Sequence, residues 1–294
     1  MTFREDFQKD GNRARRGGSG GGRLAAGGGI GTLLMVGLFL LLGGNPADIG
    51  QVLGQDQQQL PAGQEQSDGF DNCQTGKDAN ENVDCRVELT GQSIDKVWER
   101  VLPEQANIQY TKPGLVNFRN TTMTGCGQAS ANTGPFYCPG DQTAYFDISF
   151  FDTMTQFGGE NAPLAQEYIM AHEFGHHIQN LEETLGLSNY NDPGADSNAV
   201  KIETQADCYA GIWAHYADDD PEFGLETITD AQVEDAVRTA AAVGDDNIQK
   251  RSGGQVRPDQ WTHGSSEERA NAFLTGYRTG SMKSCDTLGR GVYK

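Results

Sequence analysis

Ala-His-Glu-Phe-Gly-His-His, residues 171–177, is the stretch of this chain that says most about its fold and chemistry. Read as His-Glu-x-x-His, it places His172 and His176 four residues apart, so on a helix both imidazoles lie on one face, one turn apart. Two histidines at this spacing can share one zinc ion, and Glu173 lies about 100° further round the helix. The motif therefore predicts a hydrolytic zinc site with His172 and His176 as ligands and Glu173 as general base.

The residues around the motif predict the helix that it needs. Pro163 suits a first turn, no proline follows it up to residue 184, and apolar residues recur at steps of three and four. The histidine face lies beside this apolar stripe, so the imidazoles should be partly buried and need partners. The alternative interpretation is that both histidines are solvated or satisfied within the core and bind no metal. That interpretation suits a lone histidine better than this pair. We therefore expect a helix over residues 163–184.

A third protein ligand is expected on a second helix. Glu203 follows His176 by 27 residues, and the segment from Gly186 to Asn198 between them is rich in turn formers. Alanines share the predicted helical stripe with Glu203, so the two helices could approach closely. Asp207, one turn after Glu203, is placed to accept the outer N–H of a ligating histidine. A solvated acidic face is the alternative interpretation of this pair, and the preceding motif favours the metal site.

Among the other histidines, only His263 lies in a setting that suggests chemistry. It belongs to a Trp-Thr-His-Gly-Ser-Ser turn, residues 261–266, just before a predicted helix. Such a loop histidine either donates to the oxyanion of a tetrahedral intermediate or bonds the loop backbone, and the sequence leaves both open. His177 is expected to point away from the metal, as a surface residue or a partner of a ligand, and His215 to be exposed.

The first 70 residues predict attachment to a membrane. Residues 1–23 are polar, glycine-rich and basic, and are expected to be a disordered cytoplasmic tail. Residues 24–44 carry no charge and suffice, at about 1.5 Å each, to cross a bilayer core of about 30 Å. A cleaved signal peptide is the competing interpretation, and the long glycine-rich lead favours an uncleaved anchor. Residues 45–70 are a polar linker, which leaves 71–294 as an extracytoplasmic domain.

Charge and cysteine content narrow the class of protein further. The formal net charge is −19, and no basic stripe with interleaved aromatic residues is present, which argues against a nucleic-acid partner. Six cysteines indicate an oxidising compartment, and no Cys-x-x-Cys occurs, which weakens the alternative that they bind zinc. Proximity along the chain favours the disulfide pairs Cys73–Cys85 and Cys126–Cys138. Cys208 and Cys285 are then left to form the third pair.

The remaining predicted elements indicate an α+β domain. Helical spacing of apolar residues, helix caps and strand-like alternation mark them along the chain. They are helices over residues 93–101 and 229–243, a helix that begins with a capping box at Ser265, and strands over 115–118 and 143–150.

The motif and its downstream partner resemble one bacterial family. His-Glu-Phe-Gly-His-His followed by Glu-x-x-Ala-Asp-Cys-Tyr-Ala-Gly-Ile-Trp-Ala is similar to the neutral zinc metallopeptidases, and the likeness extends over most of residues 90–290. It includes Thr-Gly-Cys-Gly from residue 124, Gly-Pro-Phe-Tyr-Cys-Pro from 134 and Thr-His-Gly-Ser-Ser from 262. The resemblance implies a zincin fold of the glutamate-zincin kind, with a small sheet and an active-site helix pair, preceded by one transmembrane helix.

The same resemblance implies roles for individual residues. His172, His176 and Glu203 would be the ligands of one zinc ion, and Glu173 would be the base. In zincins an edge strand beside the metal pairs with an extended peptide, and the strand of Tyr145 is the candidate for that position.

These observations together predict a membrane-anchored zinc peptidase whose partner is a peptide or protein substrate. Two alternatives from other classes stay open. One is a membrane-tethered zinc-binding scaffold or sensor without hydrolysis. The other is an interaction module without metal, in which His172 and His176 are ordinary structural residues.

Overall fold

The computed structural model of the protein describes residues 2–17, 70–130 and 133–294. The predicted transmembrane segment, residues 24–44, and nearly all of the predicted linker, residues 45–70, lie outside the described residues. Within the described ranges, no helix combines the length and the apolar character that a membrane crossing requires.

Helices and strands are mixed along the chain, so the predicted α+β class is confirmed. The helices are α1 (Gly76–Glu81), α2 (Val83–Ala106), α3 (Phe150–Thr153), α4 (Pro163–Leu181), α5 (Asn198–Asp219), α6 (Asp230–Ala242), α7 (Asp245–Arg251) and α8 (Ser266–Thr279). The strands are β1 (Arg15–Arg16), β2 (Gly114–Phe118), β3 (Thr121–Thr124), β4 (Gly127–Ser130), β5 (Phe136–Cys138) and β6 (Thr143–Asp147).

Helix boundaries follow the local signals where caps or proline mark them. α4 begins at Pro163, as expected, and ends at Leu181, slightly before the predicted end. The predicted capping box at Ser265 opens α8, and the helix predicted from residue 229 is α6, where Thr229 forms a second capping box. These ends depend on residues within one turn of each other, which is why the sequence reveals them.

Helix α2 is longer than the sequence indicates. It begins at Val83, where the Asn82 side chain accepts the N–H of Asp84, and Ser93 lies inside it rather than at its start. Ser93 is fully buried and its hydroxyl accepts the indole N–H of Trp213 at 3.1 Å. Polar residues on several faces of α2 are buried and bonded to other parts of the chain, so its apolar period is obscured.

Four strands form one sheet in the order β1-β2-β6-β5. β2 pairs in parallel with β1 and with β6, where Val116 lies opposite Tyr145, and β5 pairs antiparallel with β6. The strand of Tyr145 therefore has neighbours on both sides, and the prediction that it is the edge strand was wrong. Of the described strands, β5 forms that edge of the sheet, and β3 and β4 form a separate hairpin.

The two helices that carry the zinc motif residues cross at very short range. A Cβ built on Gly175 of α4 would lie 3.0 Å from the Ala206 Cα of α5, closer than ordinary contact. α5 also crosses α8 closely, at Gly211 and Gly276, where a Cβ would meet the backbone of the opposite helix. Small residues at both crossings let α5 pack between α4 and α8, and the alanine stripe predicted the first of these two crossings.

All six cysteines of the chain form disulfides. The structure contains Cys73–Cys85, Cys126–Cys138 and Cys208–Cys285. The third has a sequence separation of 77 residues and ties α5 to the C-terminal segment. Cross-links of this kind restrict the unfolded chain and suit a domain in an oxidising compartment.

Residues 2–17 follow the surface of the domain, which differs from the predicted disordered tail. Phe3 is 1% exposed and forms an antiparallel bridge to Leu225. The Arg13 guanidinium pairs with the buried Asp95 carboxylate of α2. A segment rich in glycine and arginine predicts disorder when only its own sequence is considered. Here the carboxylates that pair with its basic residues lie far along the chain, so the local sequence does not reveal them.

The tail also reaches a buried carboxyl group on α4. The Thr2 hydroxyl donates to Glu167, which lies 4.0 Å from the Arg86 guanidinium. Burial raises the pKa of Glu167 from 4.5 to about 7, against the opposing effects of Thr2 and Arg86. Between these pH values the folded state binds a proton that the unfolded chain has released, so this group makes the folded state less stable as pH rises.

We expect Glu167→Gln to remove that loss of stability. Between pH 4.5 and 7 the parent should lose about 3 kcal/mol of unfolding free energy through this group, and the variant should not. Denaturant titrations at both pH values measure the difference, and the exposed Glu226→Gln serves as the control. A pH dependence that is the same in Glu167→Gln and the parent would contradict the raised pKa.

Candidate metal centre

Three buried side chains converge between α4 and α5. His172 and His176 come from α4 and Glu203 from α5, and their candidate ligand atoms lie within 4.8 Å of one another. His172 Nε2 is 3.3 Å from one carboxylate oxygen of Glu203, and His176 Nε2 is 3.7 Å from the other. The tertiary fold thus brings together the three residues that the sequence marked as ligands.

The outer nitrogens of both imidazoles have acceptors. His172 Nδ1 lies 2.8 Å from Asp207 Oδ1, and His176 Nδ1 lies 2.8 Å from Gln179 Oε1. The Gln179 amide nitrogen donates to the Ile202 carbonyl at 2.7 Å, which orients its oxygen toward His176. Both Nδ1 atoms are therefore engaged by acceptors on the outer side, and both Nε2 atoms face Glu203. Two imidazole nitrogens and one carboxylate facing a common point are a donor set that suits zinc.

Asp207 joins the metal centre to α8. Arg269 donates to both of its oxygens, at 2.8 and 3.0 Å, and the Tyr168 hydroxyl donates at 2.6 Å. Burial alone would raise the pKa of Asp207, but Arg269 and His172 lower it to about 2. Asp207 is therefore a carboxylate at every ordinary pH, and it holds the His172 ring in one orientation.

Glu173 lies beside the three candidate ligands. Its carboxylate is largely buried. Burial raises the pKa of Glu173, while His172 and His176 act in the opposite direction. The nearby backbone N–H of Tyr137 on β5 also acts to lower that pKa. A carboxylate with a raised pKa is a stronger proton acceptor than an ordinary glutamate, as a general base requires.

His263 and a tyrosine border the same centre. Asp245, at the start of α7, accepts the backbone N–H groups of residues 262–264 and so fixes the loop. The Thr262 hydroxyl lies 2.8 Å from His263 Nδ1, which leaves Nε2 for the cleft. The Tyr190 hydroxyl donates to Glu203 Oε1 at 2.8 Å. The fold thus places His263 close to the ligands, where the sequence left its role open.

The two other histidines serve the framework. His177 is fully buried, with Nδ1 3.0 Å from the Tyr137 hydroxyl and Nε2 2.6 Å from the Thr111 carbonyl. It points away from the metal centre as expected, but it is not on the surface. His215 is half-buried rather than exposed, and its Nδ1 lies 2.8 Å from the Tyr277 carbonyl.

A cleft opens beside these groups and encloses about 670 Å³ of space, part of which is open solvent. His172, Glu173, His176, Glu203 and His263 line one part of it. Much of the remaining wall is apolar and consists of Phe136, Phe150, Met154, Ile169 and Val243. The centre is therefore accessible to a ligand with an apolar group, although its ligand atoms are buried.

Sequence reasoning missed several residues of the centre. Gln179, three residues after His176, and Tyr168, four before His172, lie at helical-neighbour spacings that could have revealed them. Arg269 lies 62 residues from its partner Asp207 and has no local signal. Tyr190 stands in the loop between α4 and α5, where only the path of the loop decides which way a side chain points.

Comparison with known proteins agrees with this centre. The chain matches the family described as "Putative neutral zinc metallopeptidase" over residues 2–288, and it belongs to that family. The uncharacterized protein Rv2575 of Mycobacterium tuberculosis strain H37Rv is 47% identical over 257 residues, which cover 85% of this chain and 84% of that protein. The uncharacterized protein YpfJ of Escherichia coli K12 is 40% identical over 194 residues, which cover 64% and 66% of the two chains. No solved structure matches the chain.

The metal content of purified variants tests the ligand set. We expect the parent to hold one zinc ion per chain and His172→Ala to lose tight binding, because two remaining ligands do not hold zinc in competition with a chelator. His215→Ala, a histidine remote from the centre in sequence and contacts, should keep one equivalent. Stoichiometric zinc in His172→Ala would reject the assignment.

Proposed function

We propose that this protein is a zinc-dependent peptidase of the glutamate-zincin kind that hydrolyses peptide bonds. The observation that supports this most is the convergence of two imidazole Nε2 atoms with the carboxylates of Glu203 and Glu173 at one accessible cleft. Membership of a zinc metallopeptidase family agrees with it. Attachment to a membrane through residues 24–44 stays a prediction from the sequence.

In this proposal each residue has a defined task. His172, His176 and Glu203 hold the zinc ion, which when bound supplies a Lewis acid at the reacting centre. Glu173 takes the proton of the attacking water and passes it to the leaving amine.

Four further residues keep the ligands and the transition state in position. Asp207 and Gln179 fix the tautomers of the two histidines, and Tyr190 donates to Oε1 of Glu203 and so orients that carboxylate. His263, held by its loop at the border of the cleft, donates to the oxyanion that develops on the substrate carbonyl.

The proposed substrate is an extended peptide with an apolar side chain. β5 is the edge strand that borders the cleft, and an added strand along it would bring a peptide past Glu173. The apolar wall of the cleft would then receive a side chain next to the scissile bond. Burial of a leucine- or phenylalanine-sized side chain contributes about 1.5–3 kcal/mol, enough to set a preference.

Substitution of Glu173, the proposed base, distinguishes its role in catalysis from a role in metal binding. Glu173→Gln keeps the shape of the side chain and removes its proton acceptor, so it should retain one zinc ion and lose about a hundredfold to ten-thousandfold in kcat. Digestion of an unbiased peptide library measures turnover, and Glu183→Gln, an exposed residue after α4, is the control. A zinc-loaded parent that cleaves no peptide would support a zinc-binding scaffold instead.

A charge on the cleft wall tests the proposed substrate preference. Val243 is half-buried on that wall, and Val243→Glu should slow cleavage next to large apolar residues about tenfold or more, because a carboxylate replaces apolar contact. Val256→Glu, a substitution at an exposed valine, should leave the preference unchanged. An unaltered cleavage profile in Val243→Glu would place the substrate side chain elsewhere.

A further inference from the structure

The N-terminal segment, residues 2–17, supplies partners to groups that lie inside the domain. Glu88 of α2 is fully buried, and it accepts the backbone N–H groups of Arg13 and Ala14 and lies 3.7 Å from Lys9 Nζ. Among the described residues, its polar partners all belong to this segment. Removal of the segment would leave a buried carboxylate unpaired, which costs several kcal/mol.

Further contacts extend along the whole segment. Gln92 of α2 accepts the backbone N–H of Asp10 at 2.7 Å and donates to the carbonyl of Gln8 at 2.9 Å. Asn80 of α1 makes three hydrogen bonds with the backbone of Thr2 and Phe3. Since the segment also contributes Phe3 and Ala14 to the core and a strand to the sheet, it is part of the folded domain.

Arg16 and Phe70 lie next to each other, one on either side of residues 18–69. The Arg16 guanidinium lies over the Phe70 ring, 5.3 Å from its centre, and Lys9 Nζ donates to the Phe70 carbonyl at 2.9 Å. The described positions on either side of residues 18–69 therefore lie within contact distance of each other. A single crossing of a bilayer between these points would separate them by a hydrocarbon core of about 30 Å.

We infer that residues 2–17 and residues 70–294 lie on the same side of any membrane that the protein contacts, as parts of one folded unit. The docked segment and a single crossing by residues 24–44 exclude each other, because contacts of 3–5 Å do not span a bilayer. This replaces the orientation that the basic tail predicts, with the N-terminus and the domain on opposite faces. The surface formed by α1, α2 and the edge of β2 is the docking site for the chain's own N-terminus.

Labelling of single introduced cysteines in cells tests whether the N-terminal segment and the domain lie on the same side of the membrane. Gln8 and Gln255 are both exposed, so Gln8→Cys and Gln255→Cys in the full chain report on the segment and on the domain. With a membrane-impermeant maleimide on intact spheroplasts, we expect the two positions to behave alike: both labelled before lysis, or both only after it. Labelling of one before lysis and the other only after it would overturn the inference.

A cross-link tests the docking itself. Gln8 and Thr75 form an antiparallel bridge flanked by hydrogen bonds from Lys9 N to Gln74 O and from Gly76 N to Phe7 O. This is the non-hydrogen-bonded type of pair, with Cα atoms about 4.5 Å apart, which a disulfide can join. In membranes from cells that express the double variant Gln8→Cys/Thr75→Cys, we expect most chains to contain the 8–75 cross-link within one chain.

The matched control for the cross-link is Gln8→Cys/Gln255→Cys, which should remain uncross-linked under the same oxidation. Mass spectrometry of unreduced digests identifies the linked peptides. Absence of the 8–75 link in membranes, or its formation only between two chains, would overturn the docking of the segment on its own domain. Neither experiment depends on zinc or turnover, so the proposed peptidase activity is tested separately.

Discussion

Close contact between α4 and α5 is the constraint on which the metal centre depends. Gly175 stands between the two histidines of α4 and leaves space for Ala206 of α5, only 3.0 Å from where a Cβ would be. Glu203 lies one turn before Ala206, so this short distance brings its carboxylate to the Nε2 atoms of His172 and His176. A larger side chain at the crossing would move α5 outward and separate the third ligand from the other two.

The buried pair of Asp207 and Arg269 extends this constraint to α8. Both side chains are almost fully buried, and the two-point contact between them, with Tyr168 and His172 as further partners, satisfies the carboxylate. A buried ion pair of this kind contributes little net stability, since desolvation offsets the attraction. Its effect here is on geometry, because α8 and a ligand histidine are oriented by the same carboxylate.

Long-range charge pairing also decides where the N-terminus lies. Arg13 pairs with Asp95, and Glu88 accepts backbone N–H groups from the same tail, although α2 stands more than seventy residues further along the chain. A basic, glycine-rich stretch therefore becomes ordered through carboxylates that are buried elsewhere. Helix α4 contacts both the N-terminal segment, through Glu167, and α5, through His172 of the candidate metal centre.

The sequence by itself determined the parts that depend on neighbours within one or two turns of a helix. These parts are the ligand spacing of His172 and His176, the start of α4, the capping box of α8 and the α+β class. It also marked Glu203 and the small residues beside it, because helix stripes are periodic. Only the tertiary structure decided that β5 is the edge strand, that Arg269 reaches the centre and that residues 2–17 join the domain. Those features depend on contacts between residues far apart in the chain, for which local periodicity and caps carry no signal.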